Sequence, residues 1–453
     1  MTLQNQSPDG LSGLSELMST ARDAAEYDPP RQVDLAARRT RRRRALLIVA
    51  AVLIVLIGSA GGYVGWALNA PLRAPAVTSQ TPQVSPPAAA GIPLPFDGAS
   101  AISVSGADEY LGAAASGTWL SSGTGEPLAI ASISKLITAL VILDARPLAG
   151  DESGPTITFS KADHDLYDKY YVMGATIAAM PTGSSMSLRD ALATMLIPSA
   201  CNYAEAVSTW AFGSQSSFLR ATRDWLARQG LAGTTIVEPS GISPRNTSTA
   251  SDLMVIGKLA AANPVIAKIA ATPVLSLPGP GAMVNTNDLL GQSGITGLKS
   301  GNLGENSSSL LYTATLDVGT EQPLQVTGVI LGGFSRNTVG AGVLGLLAGI
   351  RDGFHDVPLA KKGDEVGTFT TAWGSSARMV LERGASIFTW SDTPITATLK
   401  TATPRAYAHG EVVGTLTWSA GPKTVSVDVV IDGSIHPPTA WWRLTHPGEL
   451  GER

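Results

Sequence analysis

The chain has almost no cysteine and few aromatic residues. Cys201 is the only cysteine among 453 residues, so no intramolecular disulfide can form and packing alone must hold the fold. Aromatics make up 6% of the chain, whereas hydrophobic residues as a whole make up 44%. That is enough apolar material for real cores and excludes a mostly disordered protein. Abundant glycine and alanine suit close-packed helices and loops. No internal repeat is visible. The length allows two or three domains.

The net charge of −4 conceals a segregation. Residues 1–37 carry six acids against Arg22 and Arg31, and residues 38–44 then add six arginines interrupted only by Thr40. The remainder is mildly acidic, so nothing beyond the arginine block suggests a polyanion partner, and no nucleic-acid binding is expected. Arginine runs can bind nucleic acid, but this one abuts Ala45–Leu68, a segment without a single charge. As a helix at about 1.5 Å per residue that segment would span roughly 36 Å, enough to cross a bilayer of roughly 30 Å with some tilt. Tyr63 and Trp66 stand near its far end, where interfacial aromatics belong. The arginines predict a cytoplasmic amino terminus and an extracellular remainder. A cleaved signal peptide would have a shorter apolar region and a far shorter leader, so an uncleaved anchor is favoured.

Five segments follow. Residues 1–44 read as a disordered cytoplasmic tail and 45–68 as a transmembrane helix. Residues 69–95 contain seven prolines and read as an extended linker. Residues 96–356 mix short strands at both ends with helices between, which predicts an α+β domain built on one antiparallel sheet flanked by helices. The spacing predicts helices over Leu188–Leu196, Ser216–Leu226, Thr249–Ala262 and Val339–Phe354. Strands are predicted over Ala101–Val104, Gly294–Ser300, Ser308–Leu316 and Leu324–Leu331. Residues 357–453 alternate in short β-branched runs and read as a small all-β domain, with Trp441 and Trp442 read as core in preference to an exposed docking patch.

Three short stretches carry candidate chemistry. In Ala131-Ser132-Ile133-Ser134-Lys135 an apolar helical pattern follows, and positions i and i+3 share a helix face. A serine hydroxyl needs a neighbouring base to become a nucleophile, and a lysine can be that base. Alone, such a pair is common by chance. In Met195-Leu196-Ile197-Pro198-Ser199-Ala200-Cys201-Asn202 a helix breaks at Pro198 and releases Ser199. In Gly297-Leu298-Lys299-Ser300-Gly301-Asn302 a strand presents a lysine and a hydroxyl, then a glycine that permits close backbone approach.

Their order, on helix, interhelical loop and strand, resembles the penicillin-binding-protein and serine β-lactamase superfamily, whose motifs are S-x-x-K, S-x-N and K-[ST]-G. Glu238-Pro239-Ser240-Gly241 and Asn285-Thr286-Asn287-Asp288-Leu289-Leu290 extend the likeness to the low-molecular-mass serine D-alanyl-D-alanine carboxypeptidases. The resemblance implies Ser132 as the acylating nucleophile, Lys135 as its general base and Ser199 as a proton relay to the leaving amine. Lys299 and Ser300 would receive the substrate carboxylate, with Arg336 as a second anchor. The backbone N–H groups of Ser132 and Asn302 would form the oxyanion hole. It implies peptidoglycan stem peptides and β-lactam antibiotics as partners, and requires no metal or cofactor.

One position departs from the pattern. Where the second motif has Asn, this chain has Cys201, with Asn202 one place later. A thiol donates and accepts weakly. Either Asn202 enters through a local shift, or activity is reduced, or binding persists without turnover. A wall-binding scaffold and a β-lactamase are therefore the competing expectations beside the carboxypeptidase.

Overall fold

The computed structural model describes residues 35–451; residues 1–34 of the predicted tail lie outside them, and residues 35–44, read as disordered, are helical. Helix α1 (Leu35–Asn69) starts three residues before the arginine-rich stretch and continues through it and the uncharged segment. Its aliphatic side chains from Ala45 to Leu68 are exposed except for Ala67, and it is long and apolar enough to cross a bilayer. The chain's C-terminal segment packs on the end of this helix. Tyr63 donates from its hydroxyl to the Leu444 carbonyl at 2.6 Å, and Arg443 donates to the carbonyls of Ala67 and Ala70 at 3.3 and 2.8 Å. Trp441, expected in a β-domain core, is instead 73% exposed on a short helix over Ala440–Thr445.

Residues 75–436 form a separate unit. Its centre is an antiparallel sheet of β1 (Ala99–Ser105), β2 (Leu120–Ser122), β3 (Ile295–Gly301), β4 (Ser308–Leu316) and β5 (Leu324–Gly333), in the order β3-β4-β5-β1-β2. Strand side chains alternate between faces. Leu298, Leu311, Val329 and Ala101 therefore join the larger helical core, while Leu310, Tyr312, Ile330 and Ile102 join a second core on the other face.

The helical side is organised around α2 (Ser134–Ala145), in which every residue from Ser134 to Leu143 is buried. Its nearly continuous apolar sequence suits a helix surrounded on all sides. Around it lie α3 (Leu188–Leu196), α4 (Cys201–Phe212) and α5 (Ala250–Ala262). Ser187 caps α3 by accepting from the Asp190 N–H, and Thr249 caps α5 by accepting from that of Asp252. The second core is closed by α6 (Arg336–Gly353), started by a reciprocal box between Ser335 and Thr338.

Two departures from the expected boundaries involve the linker and the trailing domain. Ala76–Ser79, inside the proline-rich stretch, pairs with Gly367–Thr370 as an edge strand of the six-stranded C-terminal sheet. Further on, residues 91–95 lie against α6; a Cβ on Gly349 would stand 2.5 Å from the Gly91 carbonyl oxygen. The linker is thus bound at both ends rather than free throughout. The β domain also gains Phe354–Ala360 and Ala385–Trp390, which pair with each other and were not read as strands.

Candidate active site

The first turn of the nucleophile candidate is 3₁₀, over Ala131–Ile133, before α2 begins at Ser134. Ala131 has a φ of 48°, in the left-handed region that few non-glycine residues occupy. Two glycines from distant parts of the chain press on this turn. A Cβ on Gly301 would sit 2.7 Å from the Ile130 carbonyl oxygen, and one on Gly241 1.9 Å from that of Ala131. Both contacts are with backbone, so neither could be relieved by turning a side chain. They explain why glycine ends the strand motif and follows Ser240.

Lys135 is fully buried, and its Nζ faces three acceptors: Ser132 Oγ at 3.0 Å, Cys201 Sγ at 3.3 Å and the Ser240 carbonyl at 2.6 Å. A neutral amine has two N–H groups and one lone pair. Donation to Ser240 and Cys201 would leave that lone pair for the Ser132 hydroxyl. The carbonyl of Ser240 is itself held by a carboxylate: Glu238 accepts from the backbone N–H groups of Ser240 (2.7 Å), Gly241 (2.6 Å) and Ser243 (3.2 Å), and from the Ser240 hydroxyl (2.6 Å). Asn246, fully buried, ties the loop to the helix by donating to Ser134 Oγ and to Glu238.

Ser199 also sits in the left-handed region, at φ 69°, and its buried Oγ has no hydrogen-bond partner among the described residues. A polar atom is expensive to bury unpaired, so this hydroxyl is positioned for something the protein does not itself supply. Cys201, two residues on, is 4% exposed. Asn202 does not replace it: both ends of its amide pair with Ala178, accepting from the N–H at 3.1 Å and donating to the carbonyl at 2.8 Å.

On β3, Lys299 Nζ donates to Thr286 Oγ1 at 2.9 Å, and Ser300 Oγ donates to the Thr286 carbonyl at 2.9 Å. Thr286, whose N–H reaches the Ile197 carbonyl at 3.1 Å, thereby joins the second and third motifs. Lys299 is 2% exposed, and burial, reinforced by the charge of Lys135, holds its ammonium well below the usual lysine range. Asn302 is exposed, and its side chain accepts from the Gly304 N–H. Arg336, half exposed at the start of α6, lies 3.8 Å from Asp288.

The sequence singled out every residue of the three motifs. It assigned no role to Glu238, Asn246, Thr286 or the Ser240 carbonyl. Glu238 and Thr286 lie in quoted stretches and Asn246 a few residues beyond one, but their partners are backbone groups and side chains from distant parts of the chain, so no local spacing could announce them.

Residues 112–334 match the D-alanyl-D-alanine carboxypeptidase family model. A D-alanyl-D-alanine endopeptidase of Pseudomonas aeruginosa is 32% identical over 144 residues, covering 32% of this chain and 43% of that protein. One of Escherichia coli is 29% identical over 170 residues, covering 36% and 50%. The chain thus spans about half the length, or less, of these curated relatives. In fold it is similar to a D-alanyl-D-alanine carboxypeptidase from Francisella tularensis (TM-score 0.50, 15% identity, covering 78% of this chain and 97% of that one). It is equally similar to penicillin binding protein 6B from Escherichia coli (TM-score 0.50, 16%, covering 80% and 100%). The family match over residues 112–334 supports a place for this chain in the penicillin-binding-protein and serine β-lactamase superfamily.

Proposed function

We propose that this protein is a membrane-anchored serine D-Ala-D-Ala carboxypeptidase that trims peptidoglycan stem peptides through an acyl-enzyme. The single observation that carries the reading is the 3.0 Å contact between Lys135 Nζ and Ser132 Oγ, inside a pocket where Lys135 has no solvent contact. In this mechanism Lys135 takes the Ser132 proton as Oγ attacks the carbonyl of the penultimate D-alanine. The C–N bond to the terminal D-alanine breaks, and Ser199 passes a proton to the departing amine. Lys299, Ser300 and Arg336 receive the terminal carboxylate. The N–H groups of Ser132 and Asn302 stabilise the oxyanion, a contribution of roughly 3–4 kcal/mol per donor. Water then releases the shortened peptide. Helix α1 supplies the anchor, with the arginines preceding its uncharged part on the cytoplasmic side and the enzyme outside.

A second reading follows from Cys201. A thiol at 3.3 Å orients Lys135 less firmly than an amide oxygen, and a site that acylates but deacylates poorly would bind wall peptides as a scaffold. Incubation of the full chain with labelled penicillin and with a D-Ala-D-Ala pentapeptide separates the readings. The carboxypeptidase labels on Ser132 and releases D-alanine. Label without release favours the scaffold, and rapid release of hydrolysed drug favours a β-lactamase. An unlabelled protein, or equal labelling of Ser132→Ala, sinks the acyl-enzyme.

A further inference from the structure

A cavity of about 250 Å³ lies against the Glu238 loop, walled by the end of the helix Lys161–Val172, by α4 and by the helix Gln215–Arg228. No residue of the three motifs lines it. At one pole Lys169 donates to both oxygens of Glu205, at 2.9 and 2.6 Å, and the Tyr170 hydroxyl donates to the same carboxylate at 2.7 Å. An ammonium has three N–H groups and a carboxylate about four lone-pair sites, so neither charge of this pair is saturated. Gln215 adds an acceptor. Its Nε2 donates to the Glu205 carbonyl and to the hydroxyls of Ser208 and Thr209, at 3.0, 2.8 and 2.7 Å. Its buried Oε1 has no hydrogen-bond partner among the described residues. The rest of the wall is apolar: Met173, Leu219, Val237, Pro239 and Ile242. A cation, an anion and a spare acceptor beside an apolar wall match a zwitterion on an apolar stem. A simple amine would face Lys169 and a simple carboxylate would face Glu205, each with its own sign of charge unanswered.

We infer that this cavity is an effector site for a free α-amino acid with an unbranched apolar side chain. Its carboxylate meets Lys169, its ammonium meets Glu205 and Gln215, and its side chain lies on Leu219, Pro239 and Ile242. Pro239 connects the site to the chemistry. Its carbonyl accepts from Thr138 of α2 at 2.8 Å, and the next carbonyl, that of Ser240, accepts from Lys135 at 2.6 Å. A ligand packed on Pro239 favours the closed form of this loop and so the oriented form of Lys135. Binding stands independently of the acyl-transfer reading above, whereas the effect on acylation rests on it.

The test titrates the full chain calorimetrically with norleucine, alanine, pentylamine and hexanoate. Each buried methylene is worth roughly fourfold in affinity, so norleucine should bind about tenfold or more tightly than alanine. Pentylamine and hexanoate keep the apolar stem and lose one charge each, and both should bind about tenfold or more weakly than norleucine. Lys169→Met should reduce norleucine binding to the level of pentylamine. The Lys169 side chain is 44% exposed and its ion pair contributes little to folding, so the melting temperature of this variant should hardly change. Saturating norleucine should raise the rate of penicillin acylation about twofold or more in the unaltered protein and leave that of Lys169→Met unchanged. Absence of saturable norleucine binding overturns the inference, as do equal affinities for norleucine and its one-charge analogues, or undiminished binding by folded Lys169→Met. Bound norleucine with an unaltered acylation rate overturns the effector role. Failure of penicillin to label any sample would remove the acyl-enzyme, while the titrations would still decide the binding site.

Discussion

Cys201 Sγ is 3.3 Å from Lys135 Nζ and is the weakest of the three acceptors around that buried amine. The other two are oxygens, so the position that departs from the superfamily's motif is also the least well-bonded side of the proposed base. Restoring the amide should strengthen the arrangement. Cys201→Asn is expected to raise kcat/KM on a D-Ala-D-Ala pentapeptide roughly 2- to 10-fold, the range of one ordinary hydrogen bond. Steady-state kinetics on both proteins checks this, and an unchanged rate would show that the thiol is sufficient.

In the proposed mechanism Glu238 orients the base at one remove. Its carboxylate accepts from four groups of its own loop, and the same loop offers the Ser240 carbonyl to Lys135 at 2.6 Å. Glu238→Gln replaces one acceptor oxygen by an NH₂ facing donors. Each unpaired group left in this part-buried setting costs about 1–3 kcal/mol. The melting temperature should fall by several degrees, and the rate of penicillin acylation should fall by more than tenfold. Loss of stability with an unaltered acylation rate would show that the loop supports the fold and not the base.

Lys299 should leave a signature in the pH dependence of stability. Its native ammonium titrates well below the usual lysine value of 10.5, chiefly because burial disfavours the charge. Between the depressed native value and 10.5 the unfolded chain binds the extra proton, so stability rises with pH across that window. Lowering the pH from about 10 should therefore destabilise the protein relative to Lys299→Met, which has no such proton to take up. The two melting curves, compared at several pH values, give the difference. Parallel curves would show that Lys299 is charged in the native protein at all these pH values.

Local signals in the sequence accounted for most of the architecture. Leu188–Leu196 was bounded correctly because Ser187 caps it and Pro198 ends it, and Thr249 marked the start of α5 in the same way. Strand β3 was displaced by a single residue. The failures lie where distant chain decides. Ala76–Ser79 has ordinary β-branched character, but only its partner, residues 367–370, makes it a strand. The pattern of α6 runs into Phe354, yet pairing with Trp390 makes Phe354 the first residue of a strand. Trp441 has the composition of a core residue, and nothing within its neighbourhood in sequence indicates that it stays exposed. At the site, side chains at motif spacing were legible and backbone acceptors were not. Lys135 is readable as a base, but its closest partner is a main-chain carbonyl 105 residues away.

The turn that carries Ser132 is pinned from both sides by glycines at 241 and 301, each in contact with the main chain of Ile130 or Ala131. Neither contact exists until the edge strand has joined its sheet and the Glu238 loop has closed. In the proposed mechanism, reaction at Ser132 therefore reports on the completed fold. A chain still folding would carry the serine and the lysine on one short helix and yet be chemically silent. Covalent labelling of that serine would count finished molecules, which makes the nucleophile a built-in gauge of refolding yield.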